Sequence, residues 1–400
     1  MKGENIVCLS WVTFDFVPLL MHHMMNKLKK DNRVLFVDPP FALATFVLHP
    51  PLHPNLKTQW RDWRRGVKQA DENLYLYTPP PLLLQYGILE ANDRFNRRRV
   101  EKSLKRVMGE IGFDDPILWV YAPFMVYPSE DLGCKMVIYG CHDEVSAFVN
   151  PERRKRGLVS LEKEFIERTD LVFTTTQSLY DAKSIMHPRV YQFAPGVDTE
   201  LFEQALSPEL EIPAELESIP RPRIGFTGNI DNLRMDWDLL LEISNKHPDW
   251  HQVLIGPNYD PIPGRMKGID NIHFLGKKSL EQLPAYIKGL DVAYMPYLQG
   301  EWSEHAFPTK TFEYLAGGKT VVTVFIPALS HLQDVIYMCD ERGEFIGALE
   351  KALTEGDEKV KERVNVAKVN TWDSRVENTV TVIEKYAAEK GILIKGANGK

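Results

Sequence analysis

The chain has 400 residues, 44% of them hydrophobic and 26% charged. Those proportions exclude a disordered, collagen-like or disulfide-scaffold chain, and roughly 100–200 residues per domain gives two or three domains. The formal net charge of −7 gives no reason to expect nucleic acid as a partner, yet residues 1–106 hold 17 Lys/Arg against 10 Asp/Glu, so a basic portion precedes an acidic remainder.

Taken in chain order, short apolar runs alternate with helical periods. Ile6–Ser10, Arg33–Val37, Leu74–Tyr77, Ile117–Tyr121, Met136–Tyr139, Leu171–Thr175 and Val190–Phe193 predict strands rich in Val, Ile and aromatics. Pro18–Lys30 and Leu89–Met108 predict helices, the second with Phe95, Val100, Leu104, Val107 and Met108 on one stripe. Continuous apolar strands, with a helix after most of them, predict a buried parallel sheet. The pattern breaks at 203–222, where four prolines and a run of glutamates have a linker's composition. It restarts with strands at Arg223–Thr227, Val253–Gly256, Val292–Met295 and Thr320–Val324 and helices at Asp236–Asn245, Leu280–Lys288 and Thr309–Leu315. The expectation is two tandem α/β domains: 1–202, linker 203–222, and 223–371. Sheets of this class bind ligands outside the carboxyl ends of their strands, so the cleft between the domains is the natural site. A last helix and tail, 372–400, has Val376, Val380, Ile383 and Ala387 at helical spacing, a face that can pack back on the first domain.

The four cysteines, Cys8, Cys134, Cys141 and Cys339, contain no Cys-x-x-Cys pair and read as buried thiols in a reducing compartment. Cys134, Cys141 and His142 can be drawn as metal ligands, but no second cysteine pair completes a tetrahedral set. No stretch reaches the roughly 20 apolar residues that span a bilayer, and the opening MKGENIVCLSW lacks a cleavable signal pattern. A cytoplasmic location is expected, with no metal and no other cofactor.

The densest chemical signal is EWSEHAFPTKTFEYLAGGKTVV. Pro308 sets up a helix start near Thr309–Lys310, where free backbone N–H groups and the helix dipole favour phosphate. Lys310 adds a full charge, and Glu313 lies one turn on, where a carboxylate can accept from ribose hydroxyls. The alternative is a surface Lys–Glu helix pair.

At this point the sequence resembles the retaining glycosyltransferases of the GT-B fold, glycosyltransferase family 4 or group 1. Members of one branch carry Pro-x-Lys-x-x-Glu-Tyr-Leu-Ala-x-Gly-Lys-x-Val-Val, matched here by Pro308, Lys310, Glu313, Tyr314, Leu315, Ala316, Gly318, Lys319, Val321 and Val322. DLVFTTTQSL, APGVD, RIGFTGNI, HFLGKKSLEQLPAYIKGLDVAYMPY and the Trp372 tail follow the family's order from end to end. The resemblance implies two Rossmann-like domains with parallel sheets facing across a cleft. It implies transfer of a sugar from a nucleotide-sugar to a glycan or lipid-linked glycan, as in the cell-surface polysaccharide branch that includes teichuronic-acid-type enzymes.

It also implies roles. Glu313 matches the second glutamate of the family's Glu-x7-Glu motif and would bind the donor ribose. Lys310 would meet the diphosphate with Thr309 and the backbone of Gly228–Asn229, and Gly276–Lys277 would bracket the base. His142 matches the histidine that touches the transferred sugar, with Asp143 beside it; the alternative for His142 is a loop histidine with satisfied hydrogen bonds. Three places depart from the family pattern. His305 stands where the first motif glutamate would, leaving Glu304 or the amides of Ala306–Phe307 to face the sugar. The usual cation after the first strand of the second domain is Asn229, leaving Arg234 as the stand-in for the next one. The glycine-rich turn after the first strand is replaced by LSWVTFDFVP, so Trp11, Phe14 and Asp15 either shape the acceptor side or form a hydrophobic wall.

Leaving-group charge would be stabilised by Lys310, a helix start and Arg234 at an oxocarbenium-like transition state, with domain closure excluding water. Segment 41–106 joins Trp60 and Trp63 to Lys57, Arg61, Arg64, Arg65 and Lys68, followed by Arg94, Arg97, Arg98, Arg99, Lys102, Lys105 and Arg106. Such a mixture suits an anionic membrane surface, and hence peripheral attachment to the inner face of the cell membrane; a solvated helix face beneath a proline-rich loop is the alternative. A non-catalytic scaffold of the same fold, binding nucleotide or partnering an active transferase, is the competing function. A dehydrogenase is excluded, since no Gly-x-Gly-x-x-Gly follows a strand.

Overall fold

The computed structural model describes residues 1–396 except 17, 45–55, 127–131, 145–148, 150–151 and 259. The chain divides into two compact units, Met1–Ala194 with the chain from Val376 onward, and Pro195–Arg375.

The first unit holds β1 (Asn5–Leu9), β2 (Arg33–Val37), β3 (Lys68–Asp71), β4 (Leu74–Tyr77), β5 (Ile117–Val120), β6 (Met136–Cys141), β7 (Leu171–Thr174) and β8 (Val190–Gln192). They form one sheet in the order β3-β4-β2-β1-β5-β6-β7-β8. All neighbours are parallel except β3 and β4. Both faces are buried, which is why the strands read as continuous apolar runs. Val7, Leu9, Leu35, Leu118 and Val120 pack against Val100, Leu104 and Val107 of the Glu90–Ile111 helix. Ile6, Cys8, Phe36, Trp119 and Ile138 face Met21, Met24 and Met25 of the Leu20–Leu28 helix, with Ile383, Tyr386 and Ala387 of the last helix. Tyr386 donates to Asp170 Oδ1 at 2.5 Å, and Asp170 Oδ2 accepts the Val137 amide at 2.7 Å, so one carboxylate ties that helix to β6. Phe95, placed by spacing on the inner stripe of the Glu90–Ile111 helix, is 48% exposed. The inner face of the first turns is instead polar, with Asp93, Asn96 and Arg97 buried.

The second unit holds β9 (Arg223–Thr227), β10 (His251–Ile255), β11 (Ile272–Gly276), β12 (Val292–Met295), β13 (Val321–Val324) and β14 (Tyr337–Cys339), all parallel in the order β11-β10-β9-β12-β13-β14. Chain order reverses direction at β9, so the crevice at the carboxyl ends of β9 and β12 is where a sheet of this topology takes ligands.

Stretch 203–222 is not a free spacer. Leu216 is fully buried and Ile219 nearly so. Lys288 Nζ donates to the carbonyls of Ser207, Pro208 and Leu210, and the Arg223 guanidinium donates to those of Ile219 and Glu217. A few buried aliphatics anchor a stretch whose average composition is polar. At the other end, the Trp372–Lys390 helix is continuous, and the division between units falls inside it, after Arg375.

Candidate active site

In the second unit β9 runs into Gly228 and Asn229, β10 into Gly256, and β11 ends on Gly276 before Lys277, all at one edge of the sheet. The Lys310–Ala316 helix is fastened there by Tyr314, whose buried hydroxyl accepts from the Thr227 amide at 2.7 Å and from Thr227 Oγ1 at 3.1 Å. Two glycines make room. A Cβ at Gly256 would stand 1.7 Å from the Gly228 carbonyl oxygen, and one at Gly228 would stand 2.2 Å from Lys310 Cε. The lysine stem therefore crosses bare backbone at the end of the central strand. Its ammonium has no hydrogen bond or ion pair among the described residues.

Glu313 lies one turn further. Its Oε2 is enclosed without a hydrogen-bond partner, as is Asn229 Oδ1. Burial pushes the Glu313 carboxyl above its ordinary range, with Lys310 pulling the other way. An enclosed acceptor without a donor costs about 1–3 kcal/mol, and a hydroxyl-bearing ligand removes that cost. One uncompensated cation beside two waiting acceptors suits a phosphorylated polyol such as a nucleotide.

Other expected donor residues are placed differently. Arg234 is already neutralised: its Nε donates to Asp231 Oδ2 at 2.8 Å, its Nη2 pairs with the same oxygen, and the guanidinium lies over the Trp302 ring at 5.7 Å. It is a compensated ion rather than a bare phosphate ligand. Residues Glu301–His305 form a helix, and Glu304 is exposed on it. That helix closes on Ala306, whose N–H donates to the Trp302 carbonyl at 2.9 Å, so the Ala306 amide is not available to a sugar. Phe307 stacks on Phe312 at 5.3 Å. Thr309 occupies the N-cap position without a side-chain cap. The Gly276 carbonyl accepts from Gly256 N–H at 3.0 Å, and Lys277 is exposed.

In the first unit, His142 follows β6. Its Nε2 accepts from Trp11 Nε1 at 3.1 Å, and the Tyr121 ring stands edge-on at 5.5 Å. Burial lowers its pKa to about 4, against a pull from the Gly140 carbonyl. Trp11 is therefore a hydrogen-bond donor to His142 as well as a wall. Asp143 Oδ2 stands 3.7 Å from His142 Nε2, and Glu144 is paired at 3.3 Å with buried Lys183, which also holds Glu162 at 2.8 Å.

Phe14 packs edge-on against Phe36 at 5.1 Å, and Asp15 is exposed. Two residues that sequence reasoning missed pin their loop. His22 Nδ1 accepts the Leu19 amide at 3.0 Å while its Nε2 meets the Thr13 carbonyl at 3.1 Å. Asp38 accepts the Phe14 amide at 2.9 Å and Thr78 Oγ1 at 3.2 Å, and burial pushes its carboxyl up to about 7. The only cue in the sequence was an aspartate directly after an apolar strand.

No three His, Cys, Asp or Glu side chains come together as a metal-ligand group among the described residues. The Asp-x-Asp triplet Asp236–Trp237–Asp238, whose spacing could present two carboxylates to one cation, is otherwise engaged. Asp236 caps the Trp237–Lys246 helix through the Leu239 amide at 2.9 Å, and Asp238 pairs with Arg265 at 2.5 Å.

Residues 221–355 match the family described as glycosyl transferases group 1. Over 292 residues, 68% of this chain and 72% of the other, the sequence is 30% identical to TuaH of Bacillus subtilis (strain 168), described as a teichuronic acid biosynthesis glycosyltransferase. Among solved structures the fold is similar to sucrose-phosphate synthase from Thermosynechococcus elongatus, with TM-score 0.67 and 14% identity over 96% of this chain and all of that one. It is also similar to Anabaena HepE in complex with UDP and glucose, with TM-score 0.61 and 12% identity over 98% of this chain and all of that one. At such identities the two structures bear on fold alone. The helix carrying Lys310 and Glu313 lies within the family match, and with the extent of the TuaH likeness this shows that the chain belongs to the group 1 glycosyltransferases, nucleotide-sugar-dependent enzymes of the GT-B fold.

Proposed function

We propose that the protein transfers a sugar, with retention of anomeric configuration, from a nucleoside-diphosphate-sugar to a glycan or lipid-linked glycan in cell-surface polysaccharide synthesis. The observation that carries this reading is Lys310, an uncompensated cation laid across Gly228 at the end of the central strand, with Glu313 one turn behind it. In the reaction the anomeric C–O bond to the diphosphate breaks, the electron pair leaves with the diphosphate, and Lys310 stabilises the charge on the leaving oxygen, while the acceptor hydroxyl oxygen bonds to the anomeric carbon and its proton passes to the departing diphosphate. Glu313 and Asn229 receive hydroxyls of the nucleotide, Gly276 and Lys277 border the base, and His142 with Asp143 meets the transferred sugar. Trp11, Phe14 and Asp15 belong to the acceptor side. The likeness to TuaH supports the polysaccharide context.

The test is a thermal-shift screen across UDP-, GDP-, ADP- and dTDP-sugars followed by donor-hydrolysis assays. One donor class should raise the melting temperature and be hydrolysed slowly, and Glu313→Ala should weaken its binding about tenfold, the loss of one charged hydrogen bond. No stabilisation by any nucleotide-sugar would overturn the reading.

We further propose that segment 41–106 meets an anionic membrane surface from the cytoplasmic side. The Leu56–Arg65 helix puts Trp60 and Trp63 edge to face at 5.1 Å, with Arg64 over the Trp60 ring. Arg94, Arg98, Lys102, Lys105 and Arg106 are exposed, together with Leu83, Leu89 and Phe95. Arg97 does not contribute, being internal and paired with Glu164 at 3.0 Å. Part of the segment, 45–55, lies outside the described residues. No helix among them is long and apolar enough to cross a membrane. At about 1 kcal/mol per basic residue near an anionic surface, replacing Arg61, Arg64 and Arg65 together by Glu should abolish flotation with phosphatidylserine vesicles. Equal flotation of wild type and variant would remove this surface from the account.

A further inference from the structure

The Trp11–His142 contact fixes more than the position of a ring. An indole N–H can only donate. The imidazole nitrogen that faces it at 3.1 Å, Nε2, must therefore carry a lone pair, and the ring proton must sit on Nδ1. The surroundings favour a neutral ring but not one tautomer: Nδ1 is enclosed without a hydrogen-bond partner among the described residues, so the indole contact sets the tautomer. Burial disfavours the imidazolium, the Tyr121 ring closes one side, and Thr175 Oγ1 donates to the His142 carbonyl at 3.0 Å, holding the backbone beneath the ring. Among the charged neighbours, Asp143 at 3.7 Å would draw a proton to Nε2 if the indole were not there. Glu144 is taken up by Lys183, and His22, from the Leu20–Leu28 helix, opposes a charge on His142.

We propose that Trp11 is a positioning residue that locks His142 as the neutral Nδ1–H tautomer, so that the imidazole meets the substrate as a fixed dipole and exchanges no proton at Nε2 during transfer. The inference rests on the assignment of His142 to the transferred sugar. Its chemical sense lies in the transition state. The anomeric carbon becomes cation-like, and an imidazolium in its neighbourhood would oppose that charge, whereas a neutral ring held in one orientation does not. The loop that departs from the family's glycine-rich turn thus supplies a donor that a glycine could not.

The direct test is nitrogen NMR on the full-length protein carrying 15N-histidine, with kinetics on Trp11→Phe, which keeps an aromatic ring and removes the donor. In wild type, His142 should show a pyridine-type Nε2 and a pyrrole-type Nδ1, with no titration between about pH 5 and 8, where an unperturbed histidine changes charge. In Trp11→Phe the Nε2–H form should appear and the ring should titrate upward. There kcat should fall roughly 10–100-fold, less than a wrong tautomer costs where the histidine itself moves the proton. The donor KM should stay within about twofold, since the group acts on the transition state rather than on binding. A protonated Nε2 in wild type would overturn the proposal, as would an unchanged tautomer and kcat in Trp11→Phe. His142→Ala, assayed beside them, separates this claim from the one beneath it: full activity there removes His142 from the reaction and with it the catalytic purpose of the lock.

Discussion

Replacing Lys310 with methionine is expected to lower kcat/KM for the nucleotide-sugar about 10²–10³-fold, equivalent to about 2.7–4 kcal/mol, the cost of removing one preorganised donor from a developing oxyanion. The size of the effect follows from the charge inventory of the second unit's carboxyl edge. Arg234 is bound by Asp231, Asn229 stands where a cation was expected, and Lys277 is exposed. Lys310 is thus the cation left to answer the diphosphate, so little can take its place. Methionine keeps the stem over Gly228 and removes only the charge, so thermal stability should change by less than about 0.5 kcal/mol, as for a surface substitution. A loss confined to stability, with kcat/KM intact, would mean that the lysine is structural.

The second large effect falls on stability. Gly256→Ala should cost about 1–3 kcal/mol or more, the range for overpacking a filled site, because its Cβ would stand 1.7 Å from the Gly228 carbonyl oxygen, and a backbone carbonyl cannot rotate away. In a domain of this size each kcal/mol lowers the melting temperature about 2–4 °C. Gly228→Ala meets the flexible end of Lys310, 2.2 Å away, and the Phe226 ring at 2.9 Å, at a φ of +156° that an alanine rarely adopts, so the damage should appear in kcat/KM as well as in melting temperature. Gly264→Ala, with nothing within 4 Å of the added atom, is the control and should change neither. Calorimetric melting with steady-state kinetics on the three variants checks the set. A Gly256→Ala protein as stable as wild type would show that the ends of β9 and β10 are looser than the described packing.

Much of this was legible in the residues themselves. Fully buried parallel strands such as Ile117–Val120 and Val292–Met295 announce themselves as apolar runs, and the signature around Lys310 and Glu313 marked the helix on which the proposed diphosphate site rests. Strands with other burial were missed. Lys68–Asp71 is an exposed polar edge held by antiparallel pairing and by Lys29 on Asp71 at 2.8 Å, and Tyr337–Cys339 is three residues long at the other sheet's edge. Pairing with a neighbour makes these strands, and a local pattern does not record the neighbour. The same limit hid the polar contacts. That Ala306 spends its amide on Trp302 and Arg234 its charge on Asp231 depends on a short helix and a tight turn whose geometry composition does not specify. The role of the Trp11 indole N–H stayed hidden because it matters only once β6 delivers His142 to it, 131 residues away.

The central claim is that the carboxyl edge of the second sheet holds a nucleoside diphosphate with Lys310 on the phosphates. Isothermal titration of the stabilising nucleoside diphosphate and of its parent nucleoside into wild type and Lys310→Met tests it most directly. The account predicts that the variant loses at least tenfold in affinity for the diphosphate, about 1.4 kcal/mol or more, and binds the nucleoside as wild type does. Equal affinity of both proteins for the diphosphate would contradict it.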